Sequence, residues 1–244
     1  MKFTLEVCID SYASALTAKS AGADRIEVCS ALNAGGLTPC YGLIEQVSTL
    51  THVEKVAMIR PRCGDFVYTE EELATMKIDV QLVKAKGFDG IVVGFLKADG
   101  RLDLERLKTF VELAKPMKVV LHRAFDCAQE VLEDMPALIH MGIHRVLSSG
   151  QEPTAADGAH FLGALQRAYG DQIQIMPGAG VTVEAIESLW LKTRCTHYHM
   201  SGKRRRRSAH VLWDEQVLAK ELCEADHNHI AGVRAALDAF QVKF

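Results

Sequence analysis

The 244-residue sequence lacks the long apolar run that a membrane-spanning helix requires, since no stretch of it approaches the roughly 18 residues needed. Its first residues, Met1–Glu6, reach a carboxylate before the apolar part of a signal peptide could develop. An excess of one charge is also missing, because 28 basic and 31 acidic residues leave a formal net charge of −3. These absences predict a cytoplasmic protein that has neither a membrane nor a nucleic acid as its partner.

Several catalytic signatures are absent as well. The sequence contains no H-E-x-x-H, no phosphate-binding P-loop and no G-x-S-x-G, and no G-x-G-x-x-G follows its first predicted strand. It therefore departs from the zinc-protease, nucleotide-hydrolase, α/β-hydrolase and Rossmann patterns. No lysine stands on the inner face of a late predicted strand, which argues against a Schiff-base aldolase, and Lys203 just beyond the last strand is the nearest candidate.

Cysteine is present in an odd number. The seven cysteines stand at positions 8, 29, 40, 63, 127, 195 and 223. With 48% hydrophobic and 24% charged residues, the chain has the balance of a globular domain large enough to bury its own core. Scattered cysteines in a domain of this size indicate reduced thiols rather than a disulfide framework.

A short recurring phrase indicates the fold. At Gly22, Gly87 and Gly142 a glycine closes an amphipathic stretch, and an apolar run of strand length begins shortly afterwards. Glycine just past a helix end supplies a left-handed cap, so each phrase reads as a helix feeding a buried strand. Eight strands are predicted in this way, at Leu5–Asp10, Arg25–Ser30, Lys55–Arg60, Gly90–Phe95, Lys118–Arg123, Arg145–Ser149, Ile173–Met176 and Thr196–His199.

Strands that alternate with helices predict a parallel sheet, and eight such units predict a single-domain (β/α)8 barrel of the TIM type over residues 1–244. The clearest helix runs from Thr69 to Lys86, and Thr69 with Glu72 forms its capping box. A last helix is predicted from Ile230 to Phe240. The basic run Lys203–Arg207 is interpreted as a solvated loop.

The functional residues of such barrels gather at the carboxyl ends of the strands. The first two predicted strands share the tripeptide Glu-Val-Cys there, as Glu6–Cys8 and Glu27–Cys29. Because the two faces of a strand alternate, the valines should pack on helices while the glutamates and cysteines face into the barrel. Two inward thiolates on neighbouring strands favour a soft ion such as Cu(I), although buried cysteines are also common as small apolar residues.

Charged residues follow the third and fifth strands. Arg60 and Arg62 alternate in direction at the end of strand three, where they either pair with the inward glutamates or grip an anionic ligand. Strand five runs into His122, Arg123 and Asp126. His122 stands where a general acid or base is placed, and the alternative is a core histidine with satisfied hydrogen bonds.

Two late segments complete the pattern. After strand seven, Gly178 and Gly180 are typical of the phosphate-binding loops of these barrels, and the alternative is a tight turn capped by Thr182. In strand eight, His197 and His199 alternate with larger side chains, so both are expected to face inward as candidate ligands.

The ordered set of motifs resembles the CutC family over residues 4–202. The segments that carry the resemblance are Leu5–Ser11, Gly22–Ser30, Gly35–Pro39, Ile59–Arg62, Gly64–Tyr68, His122–Asp126, Ser148–Gln151 and Met176–Val181. The resemblance implies a (β/α)8 barrel, a cytoplasmic location and a role in copper homeostasis, with Cu(I) held by Cys8 and Cys29. The sequence departs from the family pattern after His199, where Ser201–Lys203 and the arginine run replace the usual loop.

Two functions therefore stay open. The first is a copper-homeostasis protein that binds Cu(I) through Cys8 and Cys29. The second is an enzyme of unknown reaction that acts on a small anionic metabolite, a phosphate or carboxylate, at the barrel mouth. Its expected catalytic residues are Glu27, His122 and Asp126, and its expected ligand-binding residues are Glu6, Arg60, Arg62, Arg123, Gly178, Gly180 and His199. The number of chains in an assembly is left open.

Overall fold

The computed structural model describes residues 2–207 and 221–243, so part of the polar stretch that follows the basic run lies outside the described residues. Eight parallel strands and eight helices form the predicted (β/α)8 barrel. The strands are β1 Thr4–Ile9, β2 Arg25–Val28, β3 Glu54–Met58, β4 Gly90–Val93, β5 Lys118–Leu121, β6 Arg145–Ser148, β7 Gln174–Pro177 and β8 His197–Met200. The helices are α1 Tyr12–Ser20, α2 Tyr41–Ser48, α3 Glu70–Ala85, α4 Leu104–Ala114, α5 Val131–Met141, α6 Ala159–Tyr169, α7 Val183–Thr193 and α8 His227–Lys243.

The strands are hydrogen-bonded in the order β7-β6-β5-β4-β3-β2-β1-β8. Strands β7 and β8 lie side by side and complete the ring, although no ladder joins them within the described residues. All eight predicted strands are confirmed, with ends shifted by at most two residues. The parallel arrangement brings the carboxyl ends of all strands to one mouth.

The helices begin and end as their capping residues dictate. Helix α3 starts after Thr69, whose hydroxyl accepts a hydrogen bond from the Glu72 amide while the Glu72 carboxylate accepts one from the Thr69 amide at 2.8 Å. The predicted capping box is therefore confirmed. Helix α8 is longer than predicted, because it begins at His227. Within the described ranges, no helix is long and apolar enough to cross a membrane.

The alternation of side chains along the strands separates two apolar regions. Val7 and Val28 belong to the large core between the sheet and the helices, as predicted. Cys8 and Cys29 belong to a smaller cluster inside the barrel. The other members of this inner cluster are Val56, Met58, Val92, Val120, Leu147 and Met176. The structure thus places the two cysteines on the inward face that the Glu-Val-Cys pattern indicates.

A charged layer fills the barrel interior below this cluster. Arg25 donates from Nε to the Glu6 carboxylate and from Nη1 to Glu54 at 3.3 Å. Arg145 Nη1 lies 4.0 Å from Glu6, and its Nε donates to Gln174 at 2.9 Å. The side chains of Arg25, Glu6 and Arg145 are each only 1% exposed. Buried charges of this kind are tolerated because they are paired and hydrogen-bonded.

The basic run is a strand, so its interpretation as a solvated loop is wrong. Strand β9, Lys203–Arg207, pairs antiparallel with β10, Glu221–Ala225, in a register that sets Arg204 opposite Glu224. Arg204 and Arg206 both donate to the Glu224 carboxylate, at 3.0 and 3.2 Å from their Nε atoms. These cross-strand ion pairs compensate the repulsion among the arginines and fix the hairpin beside the mouth.

Candidate functional site

Three metal-binding side chains meet at the carboxyl ends of β1, β2 and β8. The Cys8 sulfur, a Glu27 carboxylate oxygen and a His199 ring nitrogen all lie within 4.8 Å of one another. Strand register explains the meeting, because Cys8 is paired with Glu27 on β2 and Glu6 is paired with His199 on β8. All three side chains are buried or nearly so. We call Cys8, Glu27 and His199 the floor group.

His199 carries the positive charge of the floor group. Its Nδ1 lies 2.7 Å from Glu6 Oε1, and its Nε2 lies 3.9 Å from Glu27 Oε2. Burial opposes a charged imidazole, but the negative Glu27 together with hydrogen bonds to Cys8 and Glu6 raises the pKa of His199 well above its ordinary value. The ring is therefore an imidazolium held between two carboxyl groups.

The pKa values of the two glutamates of the repeated tripeptide are shifted in opposite directions. Burial raises the pKa of Glu6, yet the charges of Arg25, His199 and Arg145 outweigh it and hold that pKa well below its usual range. Glu27 has weaker compensation, so burial raises its pKa above the ordinary value. Its Oε1 atom is buried and has no hydrogen-bond partner among the described residues. Glu6 is thus a paired structural carboxylate, whereas Glu27 has one carboxylate oxygen that is available to accept a hydrogen bond.

Cys29 stands next to the floor group but is not a member of it. Its Sγ donates to Glu27 Oε2 at 3.5 Å, and the side chain is fully buried. Burial raises the pKa of Cys29 well above its ordinary value, and the nearby Glu27 and Cys8 raise it further. In the absence of a metal ion Cys29 is therefore a neutral thiol.

A cavity of about 290 Å³ opens above the floor group. Its rim is formed by Arg123, Lys203 and the loop from Ala179 to Thr182. Arg123 is oriented by hydrogen bonds to Asp126 and to Ser149, both at 2.8 Å. Gly180 lines the cavity with a backbone φ of +77°, a conformation that favours glycine. Gly178 does not line the cavity, and an added Cβ there would stand 2.4 Å from Leu147 and 3.4 Å from His199.

Arg60 and Arg62 lie outside this cavity, and neither pairs with the inward glutamates. Arg60 is buried, and its guanidinium donates to the carbonyl oxygens of Ala34, Gly36 and Gly64. Arg62 donates to Glu72 at 2.5 Å and to the Asp65 carboxylate at 3.0 Å. The arginine that pairs with Glu6 is instead Arg25, which shares the inward face of β2 with Glu27. Arg25 stands two residues before Glu27, and side chains two residues apart on a strand share a face, so the sequence could have identified Arg25 as inward-facing.

His122, Asp126 and His197 also lie outside the cavity lining. The Asp126 carboxylate accepts hydrogen bonds from Ser148, Ser149, Gln151 and Arg123, so it organises the loop after β6. Burial beside positive arginines lowers the pKa of His197 to about 3. The rim residue Val181 was not predicted, because it lies beside the predicted glycines but carries no chemical signature.

His122 is a buried neutral imidazole. Its Nδ1 accepts a hydrogen bond from the Ala124 amide at 3.0 Å, and its ring lies 4.7 Å from that of Phe66. Burial, with a contribution from Arg60, lowers the pKa of His122 to about 3. Between about pH 6.5, the ordinary value, and pH 3 the unfolded chain binds a proton that the folded chain does not, so stability falls as the pH falls.

We therefore expect His122→Asn to weaken the acid sensitivity of the protein. Asparagine retains an acceptor for the Ala124 amide but does not titrate. The loss of unfolding free energy between pH 7 and pH 5, measured by urea denaturation, should be about 2 kcal/mol smaller in the variant than in the wild type. The exposed His140, changed to Asn, is the matched control and should leave the pH dependence unchanged. An unaltered pH dependence in His122→Asn would contradict the assignment of a neutral, buried ring.

Comparisons with known proteins agree on one family. The CutC family profile matches residues 3–204. A CutC family protein of Chromobacterium violaceum is 40% identical over 199 residues, covering 82% of this chain and 81% of that protein. The human copper homeostasis protein cutC homolog is 37% identical over 206 residues, covering 84% of this chain and 76% of its own length. The crystal structure of the CutC protein of Streptococcus agalactiae superimposes with a TM-score of 0.77 at 27% identity, covering 82% of this chain and 98% of that one.

Proposed function

The chain belongs to the CutC family, and on this premise we propose that it acts in copper homeostasis by binding Cu(I) as cargo on the floor of the barrel mouth. Cys8 supplies the central thiolate and His199 the second donor. The observation that carries the proposal is the convergence of the Cys8, Glu27 and His199 donor atoms within 4.8 Å. A cytoplasmic location follows from the same chemistry, since all seven cysteines are free and Cu(I) thiolate sites need a reducing compartment.

The donor set suits Cu(I) better than a hard ion. Thiolate and imidazole are the soft and intermediate donors that Cu(I) accepts in small numbers. The Nδ1 atom of His199 lies against Glu6, and its Nε2 atom points toward Glu27. A carboxylate next to one ring nitrogen, as Glu6 is here, typically orients a metal-binding histidine. Cys29 is kept as a further candidate ligand, because its sulfur contacts the Glu27 carboxylate of the floor group.

Cu(I) binding should be tested first on the wild-type protein. We expect an anaerobic titration against a colorimetric Cu(I) chelator to show one tightly bound ion per chain. Because the thiol and the imidazolium must release protons, the affinity should fall as the pH falls. Iodoacetamide labelling followed by mass spectrometry should show that copper protects Cys8, while the exposed Cys40, Cys63 and Cys127 react equally with and without copper. Equal labelling of Cys8 with and without copper would contradict the proposal.

A second candidate function is an enzyme that acts on a small anionic metabolite. It is favoured by the cavity, which sets the cations Arg123 and Lys203 above the Glu27–His199 pair. In this case Glu27 and His199, rather than His122 and Asp126, transfer the proton, because they line the cavity. Native mass spectrometry of gently purified protein should then reveal a co-purified small anion, and a bare chain under all conditions would count against this function.

A further inference from the structure

The cavity has a cationic end at its rim. Helix α7 begins there, with Thr182 as its N-cap accepting a hydrogen bond from the Ala185 amide. The amides of the first helical turn have no partner within the helix and carry partial positive charge, which favours an anion. Arg123 and the exposed Lys203 stand beside the same loop. This end of the cavity is therefore suited to a phosphate or carboxylate group.

The floor end of the cavity has an unsatisfied acceptor. Glu27 is 3% exposed, lines the cavity, and its Oε1 has no hydrogen-bond partner within residues 2–207 and 221–243. A buried acceptor without a donor is costly, and native structures rarely leave one unpaired. A hydroxyl group on a bound molecule would supply the missing donor.

The wall between the two ends is apolar. It is formed by Leu32, Met58, Leu147, Val181 and Met200. A volume of about 290 Å³ lies at the lower limit of ligand cavities, so a dinucleotide or other large cofactor does not fit. The cavity accommodates instead a molecule with a short carbon body.

We infer that the cavity binds a small hydroxylated organic anion, with its phosphate or carboxylate at the Arg123–Lys203 rim and a hydroxyl group donating to Glu27. The inference rests on the second candidate function and extends it by naming the chemical class of the ligand. Phosphate and carboxylate share the chemistry of the rim, and an experiment has to separate them. Inorganic phosphate alone lacks the hydroxylated body, so it should bind weakly.

Calorimetric titration of the reduced, copper-free protein tests the inference with matched probes. Glycerol 3-phosphate is compared with propyl phosphate and inorganic phosphate, and glycerate is compared with propionate. We expect the hydroxylated member of at least one pair to bind about tenfold more tightly than its hydroxyl-free partner, because it satisfies a buried acceptor. The pair that shows this preference identifies the anion as phosphate or carboxylate.

Two variants test which residues contact the anionic group and the hydroxyl group of the ligand. Lys203→Met should weaken binding of the preferred probe about tenfold, whereas Lys192→Met, an exposed lysine at the far end of α7, should not. Glu27→Met should abolish the preference for hydroxylated over hydroxyl-free probes. If Glu27→Met does not fold, the Lys203 and Lys192 pair still tests the site.

Equal binding of hydroxylated and hydroxyl-free anions would overturn the inference while leaving an anion site in place. Binding by no member of the panel would overturn it as well. If an anion co-purifies with the protein but titration shows no preference for hydroxylated probes, the second candidate function is supported and only the proposed ligand class is contradicted. Cu(I) binding is measured separately, on protein without organic ligand.

Discussion

Cys8→Ser is expected to lower the affinity for Cu(I) at least about 100-fold, since even the loss of a hydrogen-bond partner of a metal ligand costs on the order of 10–100-fold. Among the cysteines that the structure describes, Cys8 is the one whose Sγ lies within 4.8 Å of both the Glu27 and His199 donors. A serine hydroxyl is a hard, weakly acidic donor and does not replace a thiolate for Cu(I). The affinity is measured anaerobically by competition with a Cu(I) chelator.

Companion variants decide which donors accompany Cys8. His199→Gln should lose about 10–100-fold in affinity, and Cys29→Ser about tenfold or less, because the Cys29 sulfur is not part of the convergent Cys8–Glu27–His199 group. The double variant Cys40→Ser/Cys63→Ser changes two exposed thiols and should bind as the wild type does. If Cys29→Ser loses as much as Cys8→Ser while His199→Gln loses nothing, copper is held by the thiol pair. If Cys8→Ser binds normally, the copper proposal fails at this site.

Arg25→Met is expected to destabilise the fold by about 3–5 kcal/mol, the cost of breaking a buried ion pair from one side. Arg25 is 1% exposed and donates to Glu6 and Glu54 in the barrel interior. Its removal leaves the Glu6 carboxylate with His199, at 2.7 Å, and the more distant Arg145, at 4.0 Å, as compensation. Urea denaturation at pH 7 under reducing conditions measures the change.

Two further variants identify burial as the cause. Arg101→Met removes a partly exposed arginine that pairs with Glu130 and Glu133, and it should cost less than about 1 kcal/mol. Adding Glu6→Gln to Arg25→Met should recover part of the lost stability, because the Glu6 carboxylate then no longer remains buried without its arginine partner. An effect of Arg25→Met as small as that of Arg101→Met would show that the interior layer is hydrated and weakly coupled.

The barrel is predictable from the sequence because its signals are local. The glycine that ends a helix and the apolar run that follows stand within a few residues of each other, as at Gly22 and Ile26. The inward direction of Cys8 and Glu27 follows from alternation along a single strand. Likewise, the capping box of Thr69 and Glu72 needs only a three-residue spacing.

The partners within the mouth are not predictable in this way, since they depend on register between strands. Glu6 meets His199 across 193 residues of sequence, and it meets Arg25 rather than Arg60 because β1 and β2 are aligned at that level. Arg25 begins β2 whereas Arg60 follows the end of β3, so the pairing of Glu6 depends on the level at which each arginine meets β1 and not on residue type. The pairing of β9 with β10 is also a tertiary event, which makes a strand of an arginine run whose side chains remain exposed.

The charged layer of Arg25, Glu6 and Arg145 leaves the mouth as the side from which the floor group is reached. These side chains are almost fully buried, and among the described residues they fill the barrel interior together with the inner apolar cluster, as expected for a fold whose interior is a packed core and not a pore. An ion delivered to Cys8 from the mouth has to depart through the same mouth. Under the copper proposal, a donor and an acceptor of copper therefore compete for one face of the protein, and the chain works as a reservoir or exchange partner rather than as a conduit.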